Sequence, residues 1–166
     1  MRKTKEEIVK LARARFNSWG LTVPPAHSCL YWAAAIIGEA GLNGVRLSLQ
    51  AGSASFLMVP PHLDDGNIPT HFSYQWDDKN SVVRQYQDKN LLPEMHVWAA
   101  DVENKEIVDL TTCFLPELCI KAGFRWHCKE PPDFLWSNTL PDGWVYRPNL
   151  PATKLAAQLI TNAFQG

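Results

Sequence analysis

Cys29, His96 and Asp109 have the residue types and chain order that a thiolate nucleophile, its base and the orienter of that base require. A cysteine attacks as its thiolate, so an imidazole must take its proton and a third group must hold that imidazole in place. Cys29 opens the strongly apolar run Cys-Leu-Tyr-Trp-Ala-Ala-Ala-Ile-Ile, and the unpaired amides of a helix start favour negative sulfur there. His96 lies in the strand-like stretch Met-His-Val-Trp-Ala-Ala-Asp-Val. Asp109 follows 13 residues later in Ile-Val-Asp-Leu-Thr, past a turn through Glu103, Asn104 and Lys105. Adjacent strands would then hold base and orienter side by side. A carboxylate among Ile107, Val108 and Leu110 needs a partner once buried, and His96 is the obvious one. Such a set attacks an amide or ester carbonyl and passes through a thioester, with a backbone amide such as that of Cys29 holding the oxyanion. Water would release an acid and an amine would give a new amide; the three residues alone do not distinguish these outcomes.

The elements that position these residues follow from pattern. Thr4 to Glu7 forms a capping box ahead of Ile8, Leu11, Ala12, Phe16 and Trp19, which share a helical face, and Gly20 ends that helix. Val23-Pro-Pro-Ala26 is a stiff extended approach to Ser28. Ser28 as N-cap places Cys29 in the first turn of a helix expected to run to about Ala40, where Gly41 stops it. Its apolar residues cover nearly every face, which predicts burial on most sides. Val45, Leu47 and Leu49 alternate with polar residues as one strand, Ser55 to Val59 forms a second, and His71 to Trp76 a third. Residues 77 to 93 read as a polar connection with a short helical piece around Val82 to Tyr86. Beyond Asp109, a short helix spans Pro116 to Ala122 before Gly123, a late strand spans Trp144 to Arg147, and a helix starts near Pro151. Helices, a mostly antiparallel group of strands and a terminal helix predict a single α+β domain over residues 1–166.

Composition narrows the function classes. A net charge of −1 gives no electrostatic reason to expect nucleic acid, and the basic residues near the start read as a solvated helix face. No apolar run is long enough to span a bilayer, and the start lacks the apolar core of a signal peptide, so a cytoplasmic protein without membrane partners is expected. The four cysteines are then free thiols. Cys113, Cys119, His127 and Cys128 allow a zinc reading, although their spacing lacks the paired knuckle of structural zinc; neither metal nor cofactor is expected. His27 is a competing base, and Gln50, Gln75 and Trp76 are candidates to complete the site.

The same residues carry a family resemblance. Cys29-Leu-Tyr-Trp-Ala33, followed by Ala40-Gly41-Leu42 and Val45-Arg46-Leu47, is similar to the nucleophile helix, glycine turn and strand of the transglutaminase-like branch of the papain-like cysteine enzymes. His96-Val97-Trp98 resembles that family's His-Ala-Trp motif, and Ile107 to Thr111 resembles the strand carrying its acidic residue. The likeness covers roughly residues 26 to 112. It departs from the family at Glu106 to Val108, where an aromatic residue is frequent, and at Ala99 and Ala100, where a polar one is common. The resemblance implies Cys29 as nucleophile, His96 as base and Asp109 as orienter, on a central helix packed against an antiparallel sheet, with a peptide or protein as substrate. A non-catalytic module using the same fold to bind a partner protein is the alternative.

Overall fold

The computed structural model describes residues 1–23, 28–67, 69–76 and 95–165. Helix α1 (Lys5–Ser18) begins with the expected capping box: the Glu7 amide donates to Thr4 Oγ1, and the Thr4 amide donates to the Glu7 carboxylate. Gly20 follows its end with φ 63°. Helix α2 spans Cys29–Leu42, and Ser28 occupies its N-cap position without a side-chain capping bond. The Ser28 carbonyl accepts from the Tyr31 and Trp32 amides instead. Gly41 does not stop this helix. The chain turns at Gly44, whose φ of 75° supplies the left-handed conformation that a helix exit favours.

Strand β1 (Ser48–Leu57) is one continuous element where sequence pattern suggested two. Its interior, Ala-Gly-Ser-Ala-Ser, has small residues that interrupt the apolar alternation without interrupting the ladder. The other strands are β2 (His71–Tyr74), β3 (His96–Asp101), β4 (Glu106–Asp109), β5 (Leu135–Ser137) and β6 (Val145–Pro148). β5 has no clear signal in the sequence, since three residues are too few to show a period. Helix α3 (Leu115–Lys121) and helix α4 (Leu150–Gln165) complete the described elements, which include short 3-10 turns at Pro61–Leu63 and Thr112–Phe114. The polar connection over 77–93, with the helical piece near Val82, lies outside the described residues, as does Val82 itself.

The described strands form one antiparallel sheet in the order β2-β1-β3-β4-β5, with β6 also on β1. Gly52 pairs with both His96 and Pro148, and Ala54 with both Tyr74 and Tyr146. β6 therefore lies along one edge of β1, while β3 and then β2 share the other. The sheet curls, and its two faces carry different cores. One face, through Ala99, Val108 and Trp136, packs against Ile8, Val9, Ala12, Trp32, Ile36 and Ala40 of α1 and α2. α4 extends that layer, with Ala152 and Ala156 packed on Ala51, Val97, Cys29 and Ala33. The other face closes over Phe56, Tyr74, Trp98, Leu135, Trp144 and Tyr146. The architecture is α+β.

Two local devices hold the sheet in this shape. A Cβ on Gly52 would stand 2.1 Å from the Arg147 carbonyl oxygen, so only glycine lets β6 approach β1 this closely. Thr153 Oγ1 then accepts from the Ala51 amide, which ties α4 to the same strand. None of the described helices is long and apolar enough to cross a membrane.

Candidate functional site

His96 is the first residue of β3 and Asp109 the last of β4, so the antiparallel pairing of these strands brings the two onto one face of the sheet. His96 Nε2 donates to Asp109 Oδ2 at 2.6 Å, with the two side chains 1% and 2% exposed. Tyr146 of β6 donates its hydroxyl to the same oxygen at 2.8 Å. Thr111 donates to Oδ1 through both its backbone amide at 2.8 Å and its hydroxyl at 2.6 Å. Both carboxylate oxygens thus accept two donors each, which is how a buried carboxylate remains ionised.

The electrostatics follow from that arrangement. Burial is the largest influence on His96 and disfavours its charged form, but the Asp109 charge, the hydrogen bond to it and the Cys29 thiol outweigh burial and push the His96 pKa up to about 10. Burial also opposes ionisation of Asp109, yet the imidazolium and the Thr111 donors hold its carboxyl below the usual carboxylate range. The pair is therefore an ion pair at neutral pH. Tyr74 and Tyr146 are both pushed well above ordinary phenols, chiefly by burial, and stay neutral.

Cys29, 6% exposed at the first position of α2, joins this pair from the opposite layer. β2 ends and β3 begins at neighbouring positions along one edge of β1, and His96 packs there beside Tyr74 with ring centroids 4.6 Å apart. The second ring nitrogen, His96 Nδ1, is buried and has no hydrogen-bond partner. Cys29 nonetheless lies near enough to the ring to help raise its pKa. The thiol therefore lies within reach of the imidazole and acts on its charge, although the pair does not meet strict hydrogen-bond geometry. An orphaned buried ring nitrogen otherwise costs about 1–3 kcal/mol.

Trp76 supplies a second orphaned donor. Its indole packs against the cluster that contains Cys29, its backbone amide is fixed by Ser53 Oγ at 3.0 Å, and its buried Nε1 has no partner. Gln50 takes another part: its Oε1 accepts from Trp98 Nε1 at 3.0 Å and so orients the ring beneath His96. Gln75 is exposed beside Trp76, and His27 lies outside the described residues. Cys113, Cys119, His127 and Cys128 do not gather: among the described residues no group of three or more His, Cys, Asp or Glu side chains could hold a metal ion. Burial raises all three of those thiols, Cys119 to about 11.

Cys29, His96 and Asp109 lie near one another, and Thr111 and Tyr146, which the sequence pattern did not single out, hold Asp109. Thr111 had a legible signal, because an Asp with a Thr two positions on is a standard short side-chain to backbone bond. Tyr146 had none, since only the curl of the sheet brings β6 across to β4. The fold and site together define an α+β protein with a buried Asp-His ion pair facing a helix-start cysteine. Comparisons with family models, with curated proteins and with solved structures find no match.

Proposed function

We propose that this chain is a thiol-dependent hydrolase or acyltransferase with a papain-like, transglutaminase-like core, acting on an amide or thioester carbonyl of a peptide or protein. The observation that carries this reading is His96: one ring nitrogen is bound to a fully hydrogen-bonded Asp109, and the other is buried beside the Cys29 thiol with no better-placed partner among the described residues. A purely structural histidine would have both nitrogens satisfied.

In the first step, Cys29 Sγ attacks the carbonyl carbon as thiolate, with its proton on His96. The carbonyl oxygen gathers negative charge, and two donors suit it: the Cys29 backbone amide at the start of α2 and the orphaned Nε1 of Trp76. Collapse of the tetrahedral species breaks the bond to the leaving group, which departs with the His96 proton, and leaves a thioester on Cys29. His96, now neutral, takes a proton from water or an amine as that nucleophile attacks the thioester. The thiolate leaves, and the product is an acid or a new amide. Asp109 holds the ring throughout and stabilises its charged form.

Incubation with 4-nitrophenyl acetate, followed by intact-mass and peptide-level mass spectrometry, tests this. One acetyl group on Cys29, absent from the Cys29→Ala chain and strongly reduced in His96→Ala, is the expected result. Acetylation spread over several residues, or the same yield on Cys29 in His96→Ala, would contradict it.

A further inference from the structure

The sheet face that carries α2 and α4 is not covered along its whole length. Under the helices it presents Leu49, Ala51 and Val97, and Cys29 packs at this point. Two residues farther along β1, the same face turns polar: Ser53 pairs with Arg147 of β6, and Ser55 pairs with Val145 of β6 and Ser73 of β2. These side chains floor an open cleft of about 420 Å³, with His71 at its far end and Trp76 at its border. Trp76 also packs against the buried cluster that contains Cys29, so one indole borders both the cleft and that cluster.

The chemistry of the lining is one-sided. Arg147 is a lining cation, and among the described residues no acidic side chain lines the cleft. None of the ion pairs among the described residues involves Arg147. The Ser55 and Ser73 hydroxyls lie 3.0 Å apart and bond each other, which leaves hydroxyl capacity facing the cleft. A guanidinium that pairs with no carboxylate among the described residues, beside small hydroxyls, matches an incoming carboxylate, which it can hold through two parallel hydrogen bonds. A phosphate presents the same two-bond geometry to a guanidinium, so the test below includes it.

We infer that this cleft is a specificity subsite for an acidic residue of a peptide substrate, whose carboxylate binds Arg147 while the neighbouring carbonyl lies across Trp76 at Cys29. The inference rests on the function proposed above for the choice of a peptide, but the anion site itself does not require the thiol chemistry. The carboxylate contact is made away from the reacting carbonyl and is the same before and during acylation, so it affects substrate affinity more than the acylation step.

Isothermal titration of the Cys29→Ala chain with two peptides, acetyl-Ala-Glu-Ala-amide and acetyl-Ala-Gln-Ala-amide, separates the possibilities. The glutamate peptide is expected to bind roughly tenfold more tightly or better, as a charge-assisted pair warrants. Arg147→Gln removes that preference, and Arg147→Lys, which keeps the charge but loses the two-bond fork, retains only part of it. Equal affinities in the parent chain, or a preference that survives Arg147→Gln, overturns the subsite. Inorganic phosphate displacing the glutamate peptide at equal concentration would also overturn it, because the site would then be a general anion sink. Since these titrations need no acylation, a chain that forms no acetyl-Cys29 yet keeps an Arg147-dependent preference refutes the thiol chemistry and leaves the anion site standing.

Discussion

The Tyr146 hydroxyl reaches across the curled sheet to donate to Asp109 Oδ2 at 2.8 Å, which ties the last strand to the carboxylate that orients His96. Both side chains are buried, so the bond has no water to replace it. Tyr146→Phe removes the donor without leaving a large void. The expected loss of stability is about 1.5–3 kcal/mol, the range for a hydrogen bond to a charged group. Urea unfolding of the two chains measures it, and an unchanged midpoint would show that the bond contributes nothing net.

Asp109→Asn takes away the charge that most raises the His96 pKa. The ring is then left to burial, which favours its neutral form, and the His96 titration seen by NMR moves down from about 10. Breaking a buried ion pair by removing one partner costs about 3–5 kcal/mol. A His96 titration that stays where it is in the parent chain would mean that another group holds the proton.

The same pair sets the pH range of stability. His96 has a folded pKa raised above its ordinary 6.5, so its contribution is complete below about pH 6.5 and is lost as pH rises toward about 10. Asp109 has a lowered folded pKa, so its contribution is present above 3.8 and is lost as pH falls below that value. Stability from the pair is therefore greatest between roughly pH 4 and 6.5, and declines on the alkaline side by at most about 1.4 kcal/mol per pH unit. Denaturation midpoints from pH 4 to 10 test this. The His96→Gln chain should lack the alkaline decline.

Gly52→Ala places a methyl group against the Arg147 carbonyl and the Asn149 amide, both of them backbone. Neither can swing aside as a side chain would. The substitution should cost about 1–3 kcal/mol or more, and it should weaken the β1–β6 pairing that carries Tyr146 and Arg147. A thermal melt indistinguishable from the parent would indicate that β6 sits farther from β1.

Trp76→Phe separates stability from chemistry. The indole Nε1 makes no bond, so its loss leaves unfolding unchanged or slightly improved, since an unsatisfied buried donor disappears. If that N–H serves the oxyanion, the rate of Cys29 acetylation by 4-nitrophenyl acetate falls about 10²-fold or more. Equal acetylation rates would remove Trp76 from the machinery.

Much of this was legible in the residues because it is local. The Thr4–Glu7 box, the start of α2 at Cys29 and the strands around His96 and Asp109 each follow from a pattern spanning only a few positions. The meeting of His96 with Asp109 followed from a short turn and from the cost of leaving a carboxylate unpaired in an apolar strand. What could not be read was set by the sheet as a whole. The unbroken run of β1 through Gly52, the presence of β5 and the reach of Tyr146 all depend on partners far away in the chain. Gly41 looked like a helix stop, but the helix continues for one more residue and the left-handed turn falls at Gly44. The open side of the sheet face was equally hidden, because Ser53, Ser55, Ser73 and Arg147 become neighbours only through register.

Competitive alkylation shows most directly whether His96 and Asp109 activate Cys29. Cys29 is 6% exposed and Cys119 is buried, whereas Cys113 and Cys128 are more open, so accessibility alone predicts that Cys113 and Cys128 react first. Substoichiometric iodoacetamide at pH 6, with the four sites quantified by peptide mass spectrometry, should instead label Cys29 fastest, and His96→Ala should slow that site alone. Labelling that follows exposure, with Cys29 unaffected by His96→Ala, would contradict the account and favour a non-catalytic binding module.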